Sequence, residues 1–247
     1  MNDIGVVILA AGKGTRLNCV DKPKVMLEIG DQPIVSYIIE ALQQAGFEKE
    51  QIVVVVGFCK EKVKEYFGDV VTYAEQEEQL GTAHAACIGI DKLSENIGTV
   101  LVVGGDDSAF YSNDTLLHFI HDHLKHKNMV SLLTVEPEHF ESMGRVIRDE
   151  KNNLVAVIEK EELNGEQKNI REVSTGTYCL DRKWFEEIFL HMKSIKGLEE
   201  LGLSKIIEMA IGQGKKVEAM KLKNNNEWFG INTLDELNAA NKKKSNK

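Results

Sequence analysis

Leu9-Ala10-Ala11-Gly12-Lys13-Gly14-Thr15-Arg16-Leu17, closed by Lys22-Pro23-Lys24, is the stretch from which the fold reads outward. It follows a short apolar run, Gly5 to Leu9, which reads as a buried parallel strand ending in a glycine-rich turn. Without a Cβ, Gly12 and Gly14 are expected to adopt positive φ and bring backbone N–H groups close to an anionic ligand. Lys13, Arg16 and Lys24 add positive charge around the same turn, and such a turn suits a polyphosphate. Two common phosphate loops do not match. In a Walker loop the lysine follows the second glycine, whereas Lys13 follows the first; in the dinucleotide fingerprint a third glycine stands where this chain has Leu17.

The chain has 247 residues, enough for one large domain or two closely joined halves. Its 43% hydrophobic and 28% charged residues are those of a globular protein in water. A net charge of −9 argues against nucleic acid as a partner, while leaving room for a small anionic substrate in a locally basic cleft. Cys19, Cys59, Cys87 and Cys179 are scattered without metal-ligand spacing, as expected for free thiols in a reducing cytoplasm. The first apolar run is too short for a signal peptide, and no apolar run approaches the ~18 residues of a membrane helix. The expectation is a cytoplasmic protein with no membrane partner.

Outward from the first turn, apolar periodicity predicts a helix from Pro33 to about Gly46, a strand from Gln51 to Gly57, a helix over Lys60 to Phe67 and a strand over Val70 to Tyr73. Next come a polar stretch, Glu75 to Leu80, a helix rich in small residues from Gly81, and a strand from Thr99 to Val103 ending in Gly104-Gly105-Asp106-Asp107-Ser108. This alternation is that of a parallel sheet with crossover helices, whose ligands sit beyond the carboxyl ends of the strands. The second half reads as a helix over Asn113 to His126, then strands over Met129–Val135, Gly144–Arg148, Leu154–Ile158 and Val173–Leu180. Helices over Arg182–His191 and Leu203–Ile211, a strand over Lys216–Leu222, and a last helix opened by the capping box Thr233-Leu-Asp-Glu236 complete it. His118, His121, His123 and His126 lie on one helix, where a solvated face is expected rather than a metal site. With no repeat or linker, residues 1–241 are expected to form one unit, a nucleotide half to residue 108 and an acceptor half after it, with 242–247 a disordered tail.

Several separated segments fit one template in order. The first loop resembles the signature of the nucleotidyltransferases that make nucleotide sugars, and Gln76-Glu-Glu-Gln79-Leu80-Gly81-Thr82-Ala83-His84 resembles a segment of bacterial N-acetylglucosamine-1-phosphate uridylyltransferases. Gly105-Asp106, Gly144-Arg145-Val146, Ile158-Glu159-Lys160, Ser174-Thr175-Gly176 and Gly230-Ile231-Asn232 follow in the same order. The resemblance implies a Rossmann-like nucleotidyltransferase fold, mainly parallel and flanked by helices, here without the C-terminal left-handed β-helix of the bifunctional relatives.

It further implies attack by a sugar 1-phosphate, N-acetylglucosamine 1-phosphate or a related hexose phosphate, on the α-phosphorus of UTP, with pyrophosphate leaving and Mg²⁺ as cofactor. Carried over by position, Arg16 and Lys24 would act on the phosphates, and Asp106 and Asn232 would hold the metal. Leu9, Ala10, Ala11, Gly12, Gly14, Thr15, Gln76, Gly81 and Thr82 would line the nucleotide, and Gly144, Glu159 and Ser174 the sugar. Gln76 would read the uracil edge together with backbone groups of Ala11 and Gly81. The acceptor half departs from the pattern: Ser174 stands for an asparagine, Ser108 for a proline, Lys205 for an aspartate, and Asp107 is an added carboxylate. A cytidylyltransferase acting on an alcohol phosphate and a non-catalytic nucleotide-sugar sensor stay open as alternatives.

Overall fold

Val6, Val7 and Ile8 are each wholly buried, because the first strand lies inside a sheet covered on both faces. The computed structural model describes residues 2–14, 17, 19–141, 143–194 and 200–245. Strand β1 (Ile4–Ala10) is followed by a tiny ribbon, β2 (Glu28–Ile29) and β3 (Gln32–Pro33), then by α1 (Ile34–Gln44) and β4 (Ile52–Val56). Next come α2 (Lys60–Phe67), β5 (Thr72–Glu75), α3 (Thr82–Ile90), β6 (Thr99–Gly104), α4 (Asn113–His126) and β7 (Val130–Val135). A hairpin of β8 (Arg145–Arg148) and β9 (Leu154–Ile158) precedes β10 (Val173–Asp181), α5 (Arg182–Ser194), α6 (Ser204–Gly212), β11 (Val217–Lys221) and α7 (Leu234–Ser245).

The main sheet has seven strands in the order β11-β7-β10-β6-β1-β4-β5. β1 runs parallel to both β4 and β6, while β10 enters antiparallel between β6 and β7. From β1 the chain moves outward to β4 and β5 and then returns through α3 to β6 on the other side of β1. The space beyond the carboxyl ends of β1 and β6 is therefore a topological switch point, where open α/β sheets leave a crevice. The nucleotide and acceptor halves expected from sequence share this one sheet, since β10 of the second hydrogen-bonds directly to β6 of the first.

Period-two alternation sorts the strand residues between two cores. Val6, Ile8 and Ala10 pack with Ile38, Leu42, Leu116 and Phe119 of α1 and α4. Val7 faces the opposite way, into a second core that includes Ala86, Ile90, Phe185 and Ile207 of α3, α5 and α6. Because both faces are covered, strands such as Ile52–Val56 are apolar throughout, each buried side chain contributing roughly 1.5–3 kcal/mol of transfer free energy.

The capping box forms as the sequence implies: Glu236 N–H donates to Thr233 Oγ1 at 3.2 Å, and Thr233 N–H donates to Glu236 Oε2 at 2.8 Å. The expected disordered tail is corrected over residues 242–245. α7 runs on to Ser245, with the Lys244 ammonium over the Tyr37 ring at 3.6 Å and Lys243 over Phe110 at 4.7 Å. The lysines supply cation–π contacts, which a composition-based reading of a basic terminus does not weigh. The ribbon β2–β3 was not expected from sequence either, its strands being too short for periodicity to register.

Candidate active site

Beyond the carboxyl ends of β1 and β6 opens a cleft of about 470 Å³. It is lined by Leu9, Ala10, Ala11, Gly12 and Gly14 of the first strand and turn, by Gln76, Gly81 and Thr82, and by Lys24, Asp106 and Asn232. Every described residue assigned to nucleotide or metal by the sequence reading lines this cleft. Thr15 and Arg16 lie outside the described residues.

The turn after β1 differs from expectation in two respects. Gly14 has φ +64°, and a Cβ there would come within 2.7 Å of the Lys24 Cβ, so the turn needs glycine to pack against Lys24. Gly12 does not have positive φ; it is open on the side where a Cβ would stand. The cations also separate. Lys24 is in the main cleft, whereas Lys13 lines a neighbouring one with Lys60, on the far side of Gln76 and Gln79.

Lys24 is almost fully buried, on a short 3-10 turn that begins after Pro23. Its ammonium donates to the Asp106 carboxylate and, at 2.9 Å, to Asn232 Oδ1. Asn232 is itself tied down, its N–H donating to Glu236 Oε2 at 2.6 Å, so the α7 cap orients the residue whose side chain enters the cleft. One carboxylate and one amide oxygen thus converge on a single cationic position, a hard-donor pair that fits a divalent cation such as Mg²⁺.

The adjacent Asp107 carboxyl is pushed well above the usual carboxylate range, chiefly by burial and next by the Asp106 charge, with Lys24 opposing. Its Oδ1 is enclosed and has no hydrogen-bond partner among the described residues. Ser108, in place of the family's proline, closes the turn by donating to the Gly104 carbonyl.

A second cleft of about 480 Å³ adjoins the first, lined by Gly144, Glu159, Ser174, Tyr178 and Ser204 among others. Leu9, Thr82, Asp107 and Gly176 belong to both clefts. The hairpin β8–β9 brings Gly144 beside Glu159: a Cβ on Gly144 would lie 3.3 Å from the Glu159 Cα. Ser174 sits where β10 slips register against β7, and its Oγ accepts from Gly176 N–H at 3.1 Å. Lys205 points elsewhere, its Nζ 4.0 Å from carboxylate oxygens of Glu162 and Glu208.

The segment from Gln76 to His84 holds groups whose importance the sequence reading missed. Gln79 Nε2 donates to the Ala11 carbonyl at 2.9 Å, tying this segment to the first loop. Gln76 Nε2 lies 3.2 Å from the Gly81 carbonyl and 3.1 Å from His84 Nδ1. The carbonyls of Ala11 and Gly81 thus each accept from a side-chain amide of this segment. Two glutamines three apart, followed by a histidine, is the signal that could have pointed to this network. Thr82 Oγ1 accepts from Leu203 N–H at 2.9 Å, and Ala83 N–H donates to the Leu201 carbonyl at 2.7 Å, stitching the nucleotide side to the loop before α6.

Three of the four histidines of α4 have protein partners. His123 is buried, with Nδ1 2.9 Å from Ser131 Oγ, and burial lowers its pKa to about 4. His126 pairs with Glu218 at 2.8 Å and His118 with Asp122 at 3.4 Å. All four cysteines are free thiols. Among the described residues no helix is long and apolar enough to cross a membrane.

The model of the family described as nucleotidyl transferase matches residues 5–247. The bifunctional protein GlmU of Carboxydothermus hydrogenoformans is 35% identical over 231 residues, covering 94% of this chain and 50% of that protein. GlmU of Pelotomaculum thermopropionicum is 36% identical over 235 residues, again covering 95% of this chain and 50% of its own length. The chain therefore spans about half the length of these curated relatives. Among solved structures, a UDP-glucose pyrophosphorylase complexed with UDP-glucose superposes with a TM-score of 0.80 at 20% identity, covering 100% of this chain and 99% of that one, which is a likeness of fold.

Proposed function

This chain belongs to the nucleotidyl transferase family, and on that premise we propose that it transfers UMP from UTP to a sugar 1-phosphate, releasing pyrophosphate. The observation that carries the reading is the pair of clefts with a common wall of Leu9, Thr82, Asp107 and Gly176. A triphosphate in the first and a phosphorylated acceptor in the second would lie side by side. An oxygen of the acceptor phosphate would form the new bond to the α-phosphorus as the bond from that phosphorus to the bridging oxygen of the β-phosphate breaks. The electron pair of the broken bond leaves with pyrophosphate.

No side chain needs to form a covalent bond, so the protein contributes positioning and charge. The backbone from Leu9 to Gly14 follows the nucleotide, with Gln76, Gly81 and Thr82 opposite. Lys24 neutralises negative charge at the phosphates, and Arg16 and Thr15 retain the roles the sequence pattern suggests for them. A cation held by a preorganised network needs no reorganisation as charge develops, which is where such groups have most effect. Asp106 and Asn232 are the residues that would hold Mg²⁺. When bound, the ion would offset charge on the phosphate oxygens. On the acceptor side Glu159 can accept two sugar hydroxyls at once, beside Gly144 and Ser174, and N-acetylglucosamine 1-phosphate or a related hexose phosphate is the proposed acceptor.

The test is pyrophosphate release with Mg²⁺, crossing the four ribonucleoside triphosphates and dTTP against sugar 1-phosphates and alcohol phosphates. Release with UTP and a hexosamine or hexose 1-phosphate is expected. Release confined to CTP with an alcohol phosphate, or binding without release across the panel, would overturn the proposal.

A further inference from the structure

We propose that His84 is a positioning residue for base choice: it holds the Gln76 amide with its oxygen toward the base, so that the cleft accepts a pyrimidine carrying a ring N–H. The inference rests on the nucleotide reading above and concerns a residue outside the phosphate machinery.

The Gly81 carbonyl can only accept a hydrogen bond, so the Gln76 atom that faces it at 3.2 Å must be the amide nitrogen. That nitrogen carries two hydrogens. The second points to His84 Nδ1 at 3.1 Å, which can accept it only as the neutral imidazole with its proton on Nε2. The two acceptors together fix the terminal torsion of Gln76, whose side chain is otherwise free to turn its oxygen and nitrogen about. Gln76 is buried and lines the nucleotide cleft, and among the described residues no donor reaches its Oε1. With both amide hydrogens engaged, an acceptor is what Gln76 has left to offer a base.

Uracil and thymine meet an acceptor with N3–H. Cytosine presents the N3 lone pair, and two acceptors would face each other without a proton between them, a loss comparable to an unsatisfied buried polar group. His84 is held in turn: its ring stacks on Phe189 of α5, centroids 6.3 Å apart with planes inclined by 15°. The rigid α3–α5 packing is thereby connected to the orientation of an amide at the base.

The experiment uses the full chain and calorimetric binding of UTP and CTP without acceptor. His84→Phe keeps an aromatic ring against Phe189 and removes the Nδ1 acceptor, while His84→Asn restores an acceptor at nearly the same place through Oδ1. We expect the wild type to prefer UTP, His84→Phe to lose about tenfold of that preference, and His84→Asn to retain it. An unchanged preference in folded His84→Phe overturns the proposal. Should that variant not fold, the ¹⁵N spectrum of the wild-type imidazole decides: an unprotonated Nδ1 supports the proposal and a protonated one overturns it. A wild type that binds UTP selectively yet releases no pyrophosphate with any acceptor would remove the proposed reaction while leaving the His84 assignment standing.

Discussion

The two clefts are built differently. In the cleft beyond β1 and β6, polar side chains are buried and multiply held: Lys24 donates to both Asp106 and Asn232, and Gln76 is pinned by Gly81 and His84. In the adjoining cleft one carboxylate, Glu159, is exposed and follows a two-stranded hairpin outside the main sheet. The first is preorganised, with side chains oriented before any ligand arrives. The second relies on groups with more freedom, and Ser174, which stands for an asparagine in the family's pattern, lines it. Phosphate chemistry demands fixed charges, whereas an acceptor site can be retuned by single side chains on a peripheral hairpin.

Four substitutions can break or sharpen this contrast. The largest effect is expected for Asp106→Ala, which should lower kcat by about 10³-fold while circular dichroism reports a folded chain. A variant with near-normal turnover would show that the multiply held end of the nucleotide cleft is not its chemical centre. Gly81→Ala tests the seam between the clefts. Its Cβ would come within 2.5 Å of the Leu201 carbonyl at a residue with φ +108°, and a loss of about 2–3 kcal/mol in urea unfolding is expected.

Gln76→Ala should reduce discrimination between UTP and CTP by roughly tenfold with a smaller effect on turnover. Unchanged discrimination would mean that preorganisation of this amide has nothing to do with the base. The smallest effect is expected for Glu159→Gln, a rise of about three- to tenfold in KM for the acceptor with nucleotide binding unmoved. A matching loss of nucleotide affinity would show that the two clefts are not separable in this way.

Much of the fold was legible in advance because its elements announce themselves locally. Four consecutive valines, Val53 to Val56, are legible as a strand buried on both faces, and the spacing of Ile34, Ile38, Ile39 and Leu42 reads as a helix stripe. The candidate site was legible as a set of residues, since all of those described fall in the two adjoining clefts. Their partnerships were not. Lys13 and Lys24 were read as one cluster of charge, yet the chain places them in different clefts. His84 carried no assigned role, although it follows the two glutamines, because only the fold brings its ring to an amide eight residues earlier.

The sequence by itself determined the strands of the main sheet, the helices, the glycine at position 14 and the chemical types available to a phosphate site, because these depend on backbone sterics and on apolar periodicity within a few residues. Only the tertiary structure decided that Lys24 meets Asn232 across 208 positions, that β10 enters between β6 and β7, and that the Gln76 amide nitrogen meets the Gly81 carbonyl and His84. The reason is physical: a hydrogen bond's direction depends on which donor and acceptor the folded chain brings within about 3 Å, and that distance is set by packing of the whole sheet and its helices.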